Sequence, residues 1–229
     1  MPADSVPVDA PSGRRIFQQV LDHLPTGWKV MPIGGLAMMQ VADQPGQLTR
    51  DVDAVPLVLV DGILRVPPAA AVLEMGLNLS LDASLRKDQT SVQLVVRGEE
   101  GPVKVELIRG RNARSGGYFV SRPFLEKAAS LCASASRVLY ATPEVLACLK
   151  AWAAVDEDKL VEAGKDARGF HRARAAAFRQ DVSRIRLELA ARARAPDAAP
   201  VSAMLGVCPP RRAARIRTIL ETAGWPVAA

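Results

Sequence analysis

One stretch constrains this chain more than any other. It runs from Gly34 to Val55 and reads GGLAMMQVADQPGQLTRDVDAV. A short extended run, Trp28 to Ile33, stops at a double glycine. Good helix formers follow from Leu36 to Val41, and Asp43-Gln-Pro-Gly-Gln47 reads as a loop. Asp51 to Val60 then reads as a strand, rich in valine and alternating at its start. Side chains on a strand alternate between faces, so Asp51 and Asp53 point one way and Val52 and Ala54 the other. Aspartate is disfavoured in strands, and here it occurs twice on one face. The segment is therefore predicted to have one apolar face and one anionic face.

Two carboxylates held side by side repel each other unless a cation sits between them. Hard divalent cations such as Mg²⁺ prefer this all-oxygen environment. Gly34-Gly35 stands where a strand gives way to a helix. Glycine there lets an anion approach the backbone, and the unused N–H groups of a helix start favour negative charge. A phosphate cradle beside a metal site would serve phosphoryl or nucleotidyl transfer. A third carboxylate is offered by Val103-Lys-Val-Glu-Leu-Ile108. Its alternation puts Val103, Val105 and Leu107 on one face and Lys104, Glu106 and Ile108 on the other. If that strand lies beside the first, Glu106 joins the two aspartates; otherwise it is an exposed glutamate on a half-buried strand.

The rest of the chain suggests an α+β fold. A helix is expected over Ser12 to His23, with Ser12 as its N-cap. Another is expected over Ala69 to Leu77, and Ser91 to Val96 pairs with Val103 to Ile108 as an antiparallel hairpin. Val138 to Tyr140 is a further strand. Helical patterns follow at Pro143 to Val155, Lys165 to Arg194 and Pro209 to Thr222. Strands come first and helices last, which suggests a mixed sheet with flanking helices and then a helical domain. The expected divisions are a flexible leader over 1–12, a catalytic domain over 13–135 and a helical domain over 136–229.

Composition excludes some classes. The 229 residues are 49% hydrophobic, enough for a proper core. No apolar run is long enough to span a bilayer. The N-terminal MPADSVPVDAPSG lacks the basic and apolar regions of a signal peptide, so a cytoplasmic protein without membrane partners is expected. Cys132, Cys148 and Cys208 are too scattered for a metal site and read as reduced core thiols. Two histidines are too few for a histidine-rich metal centre.

Charge is uneven. From Lys165 onward there are 13 Lys+Arg and 5 Asp+Glu, whereas the whole chain is only +6. Arginine forks suit phosphate oxygens, so a polyanion such as RNA is one reading and a solvated helical surface the other. The loop Arg109-Gly-Arg-Asn-Ala-Arg-Ser-Gly-Gly117 poses the same choice. Its Arg109, Arg111 and Arg114 either grip RNA or a triphosphate, or belong to a surface loop.

Gly34-Gly35, then Asp51-Val-Asp53, then a carboxylate on a later strand resembles the nucleotidyltransferase superfamily of the polymerase-beta type. Ile33 supplies the apolar residue that precedes the glycines in that pattern. Gly-Gly-x-Ala at Gly34 to Ala37 and Thr-Arg-Asp-Val-Asp at Thr49 to Asp53 look closest to abortive-infection type toxins, the AbiEii-like and MenT-like enzymes. Those carry Pro-Glu-x-Leu with a nearby lysine on a following helix, as in Pro143-Glu-Val-Leu-Ala-Cys-Leu-Lys150. A basic residue with an aspartate then opens a long helix, for which Arg179-Gln-Asp181 and Lys165-Asp166 are rival matches. The resemblance spans roughly residues 28 to 187, and its first motif is the most specific.

The resemblance implies a nucleoside triphosphate as substrate and Mg²⁺, or Mn²⁺, as cofactor. Asp51, Asp53 and Glu106 would hold the metal. Gly34, Gly35, Thr49, Arg50 and Lys150 would hold the nucleotide, with Lys150 also neutralising phosphate charge and Asp181 a further catalytic acid. It implies transfer of a nucleoside monophosphate to an acceptor hydroxyl on RNA, a tRNA 3′ end, by the toxin of a toxin–antitoxin system with a cognate antitoxin. Two other readings stand beside it: a nucleotidyltransferase acting on a protein or small molecule, and a non-catalytic nucleotide-binding module on the same fold. A Walker-type ATPase is disfavoured, since no Gly-x-x-x-x-Gly-Lys-Ser/Thr run occurs.

Overall fold

The computed structural model describes residues 9–41, 49, 51–79, 82–85, 89–111, 120–135 and 137–227. These form two units. The first holds the chain to Gly110 and takes in Ala133–Tyr140; the second holds Arg111–Cys132 and Ala141 onward.

The first unit is built on a mixed sheet. Its helices are α1 (Ala10–His23), α2 (Gly34–Val41) and α3 (Ala69–Leu79). Its strands are β1 (Trp28–Ile33), β2 (Asp51–Val60), β3 (Ile63–Arg65), β4 (Asp82–Leu85), β5 (Ser91–Arg97), β6 (Pro102–Ile108), β7 (Ala133–Ala135) and β8 (Val138–Tyr140). The sheet order is β4-β5-β6-β2-β1-β8-β7, with β3 folded back on the end of β2. β5 and β6 form the expected antiparallel hairpin. β2 runs antiparallel to β1 and parallel to β6. The parallel pair matters most, because it sets Asp51 opposite Lys104 and Asp53 opposite Glu106.

Burial follows the alternation. Val52 and Ala54 of β2, Val92, Leu94 and Val96 of β5, and Val103, Val105 and Leu107 of β6 join one core with Ile16, Phe17, Val20 and Leu24 of α1. α1 corrects the expected cap. Asp9 is the N-cap, accepting a 2.8 Å hydrogen bond from the Ser12 N–H, so Ser12 lies in the first turn and α1 starts inside the stretch read as a leader. β8 reaches the sheet through Val138, parallel to Val30 of β1, and Arg137 donates to the carbonyls of Leu24 and Pro25.

The second unit is helical, with α4 (Arg122–Ser130), α5 (Pro143–Glu162), α6 (Phe170–Ala191), α7 (Ala198–Leu205) and α8 (Pro210–Thr222). Thr142 caps α5, and Pro143 fills its first turn, where no backbone donor is needed. α5 buries residues on nearly every side, including Val145, Leu146, Ala147, Ala151, Trp152 and Val155, as a central helix does. The Phe124 ring lies 4.3 Å from the Trp152 ring, and the Arg212 guanidinium covers Trp152 at 4.1 Å.

α5 continues past the expected end at Val155 because its acids find arginines. Asp156 pairs with Arg212 at 2.8 Å and Glu157 with Arg174 at 3.1 Å. Asp158 pairs with Arg179 at 2.5 Å and with Arg215 at 3.3 Å. Near its other end Glu144, almost fully buried, pairs with Arg194 at 3.2 Å. Part of the arginine excess is thus consumed inside the unit. α6 starts at Phe170 rather than Lys165, since Gly169 takes a left-handed conformation there and Asp166 accepts from the His171 N–H at 2.7 Å.

No disulfide joins Cys132, Cys148 or Cys208. Burial pushes Cys132 and Cys208 up to about 12 and Cys148 higher still, so none is a ready thiolate. Among the described residues no helix is long and apolar enough to cross a membrane.

Candidate active site

In the first unit the two motifs of the opening stretch meet. Gly34 begins α2 with φ +66°, a conformation that disfavours any side chain. A Cβ at Gly34 would stand 2.3 Å from Asp53 Oδ2. A Cβ at Gly35 would stand 2.3 Å from Thr49 Oγ1. The glycines are therefore the space into which Asp53 and Thr49 fit. Thr49 is buried, and its hydroxyl donates to the Asp51 carbonyl at 2.9 Å, which ties the approach to β2.

Asp51 and Asp53 are both half-buried and share a face of β2. Lys104 and Glu106 occupy the same face of β6, directly opposite them in register. Glu106 is nearly buried; its Oε1 accepts from Ser91 Oγ at 2.6 Å. The Lys104 ammonium lies 3.3 Å from Glu106 Oε2 and 3.8 Å from Asp51 Oδ2. Sequence reasoning had Lys104 on the right face without giving it a role, and it missed Ser91. The Lys-Val-Glu alternation was the available signal for Lys104.

A divalent cation can be tested against these donors. Asp51 and Asp53 are accessible, all-oxygen and side by side, which fits a hard cation. The expected three-carboxylate set is not drawn together as such: among the described residues no group of three or more His, Cys, Asp or Glu side chains is placed to hold a metal ion. Glu106 is engaged instead by Ser91 and Lys104.

In the second unit, Lys150 and Asp181 meet across α5 and α6. Lys150 Nζ is 2.7 Å from Asp181 Oδ2 and 5.4 Å from the centre of the Phe178 ring. Arg184 adds a longer contact to Asp181 at 3.5 Å. Of the rival aspartates, Asp181 pairs with Lys150, whereas Asp166 serves as the acceptor at the start of α6. Arg179, the basic residue of that motif, is turned onto Asp158.

Arg109 is corrected by the structure. It is buried, with Nε donating to the Pro67 carbonyl at 3.1 Å and Nη1 to the Gln89 carbonyl at 2.6 Å. A guanidinium so engaged locks a loop junction and is not offered to an RNA backbone. Arg111 exchanges backbone hydrogen bonds with Val120 and Arg122 in the second unit. Arg50 and Arg114 lie outside the described residues, as do the 43–47 loop and most of the leader.

A mixed sheet of this order with flanking helices is a nucleotidyltransferase-like fold. A solved structure bears this out. The chain is similar to an antigenic nucleotidyltransferase-like protein from Paracoccidioides brasiliensis, with a TM-score of 0.55 over 95% of this chain and 89% of that one. Sequence identity is 14%, so the likeness is one of fold alone. No protein-family model matches the chain, and no curated protein matches it in sequence.

Proposed function

We propose that this protein is a Mg²⁺-dependent nucleotidyltransferase that moves a nucleoside monophosphate from a nucleoside triphosphate to an acceptor hydroxyl. The packing of Asp53 into the space left by Gly34 carries this reading, because it joins a phosphate-compatible turn to paired carboxylates on one strand. Backbone N–H groups at the start of α2, beside Asp53, would meet the triphosphate oxygens. Asp51 and Asp53 would hold the cation, which supplies charge neutralisation to the transferring phosphoryl oxygens. Glu106, on the same face, orients the acceptor hydroxyl. The hydroxyl oxygen bonds to the α-phosphorus, its proton leaves to solvent or a carboxylate, and pyrophosphate departs.

The acceptor we propose is RNA, a tRNA 3′ end, with the protein acting as the toxin of a toxin–antitoxin pair held in check by a cognate antitoxin. The basic C-terminal quarter supports it. Seven of its arginines pair with acids among the described residues, and the side chains of Lys165, Arg168, Arg172, Arg192 and Arg211 are exposed. The test is label transfer from each of the four α-³²P nucleoside triphosphates to total tRNA with Mg²⁺. Label in tRNA that disappears in Asp51→Asn/Asp53→Asn is the expected result. Label in protein bands would move the acceptor to a protein. Nucleotide binding without any transfer would replace the enzyme by a binding module.

A further inference from the structure

Four charged side chains share one face of β2 and β6: Asp51, Asp53, Lys104 and Glu106. Three are carboxylates and one is an ammonium, so their formal charges sum to −2. Side-by-side carboxylates need a nearby cation to stay charged. Lys104 meets that need from within the chain, bridging Asp51 at 3.8 Å and Glu106 at 3.3 Å. Its stem rises from a strand whose other face is core, and its position opposite Asp51 is fixed by the parallel register. Ser91 holds the far oxygen of Glu106, so that carboxylate is kept on the side where Lys104 reaches it.

From this geometry we infer that Lys104 is the site's built-in counter-ion, which lowers its affinity for divalent cations and limits the charge it can take up. The inference rests on the Asp51/Asp53 metal site proposed above. A bound divalent cation must compete with the ammonium for Asp51, and it is repelled by that ammonium while it stays. Without Lys104 the same face is one charge more negative and binds a cation more tightly. Lys104 is a positioning residue: it acts through the carboxylates and is assigned no contact with substrate.

The experiment is a Mn²⁺ titration of the full chain without nucleotide, read by the electron paramagnetic resonance of free Mn²⁺. Wild type, Lys104→Met, Lys104→Arg and Asp51→Asn/Asp53→Asn are compared, each checked for folding by circular dichroism. Lys104→Gln is read in the same way should Lys104→Met fail to fold. Removing one positive charge next to a divalent cation is expected to tighten binding by about tenfold or more. Lys104→Arg, which keeps the charge, should stay within about threefold of wild type. Unchanged or weaker binding in Lys104→Met, with binding still abolished by the double aspartate variant, overturns this inference and leaves the site reading intact. Binding that is absent, or indifferent to the aspartates, overturns the site reading and the role of Lys104 together.

Discussion

The carboxylate of Asp53 lies where a side chain on Gly34 would begin, 2.3 Å from the ideal Cβ position. Two motifs 19 residues apart in sequence are thereby one steric unit. Gly34→Ala should combine left-handed backbone strain with a direct clash. Gly27 is the control, since it has φ +80° and nothing within 4 Å of its Cβ position. Gly27→Ala should cost about 1–2 kcal/mol from backbone strain alone. Gly34→Ala should cost roughly 1–3 kcal/mol more, from overpacking. Thermal denaturation measures both, and only Gly34→Ala should also abolish label transfer.

Lys150 and Asp181 form a mostly buried pair at 2.7 Å. Removing one partner leaves a charge with poor solvation. Lys150→Ala should destabilise the protein by roughly 3 kcal/mol in urea unfolding. Lys150→Met/Asp181→Leu should recover at least half of that, because a well-packed apolar pair replaces an ion pair with little loss. If the double variant is as unstable as the sum of its singles, the pair is not coupled.

Arg109 tests the difference between a basic residue and a basic surface. Arg109→Lys loses the fork that reaches both Pro67 and Gln89. A destabilisation of about 2 kcal/mol is expected from the unmet carbonyls. In Arg109→Gln, which removes the charge, the salt dependence of tRNA binding should not change. A shallower slope in a filter-binding series would show that Arg109 meets phosphate after all.

Asp156 predicts a pH dependence. Burial raises its carboxyl from 3.8 to about 7, against the opposing pull of Arg212 and the Trp152 N–H. A carboxyl raised in the folded state contributes stability that is full below its unfolded pKa and lost as pH rises through its folded one. Its contribution should therefore decline between about pH 4 and pH 7, the span from 3.8 to about 7. Asp156→Asn cannot ionise, so its Tm relative to wild type should rise steadily over that span. A constant difference in Tm would mean that Asp156 stays ionised throughout.

Much of the first unit was legible because its signals are local. Alternation in Asp51 to Val60 and in Val103 to Ile108 sets which side chains share a face, and the β5–β6 hairpin follows from the short loop between its strands. The least legible elements were the shortest. β3, β4, β7, α4 and α7, of three to nine residues each, were not read from the sequence, although β8 and α2, equally short, were. The return of β8 to β1 depends on a single paired position, Val30 with Val138, far apart in the chain.

By itself, the sequence determined that Asp51 and Asp53 face the same way, that a double glycine precedes them, and that strands come before helices. These follow from the two-residue period of a strand and from the conformations only glycine tolerates. Tertiary structure alone decided that β6 lies parallel to β2, which puts Glu106 opposite Asp53 and Lys104 opposite Asp51. It decided that Arg109 is buried, that Lys150 takes Asp181 rather than Asp166, and that α5 acids absorb arginines from α6 and α8. Such pairings join residues tens of positions apart. They depend on strand register and helix packing, where a one-residue slip would turn every side chain to the other face.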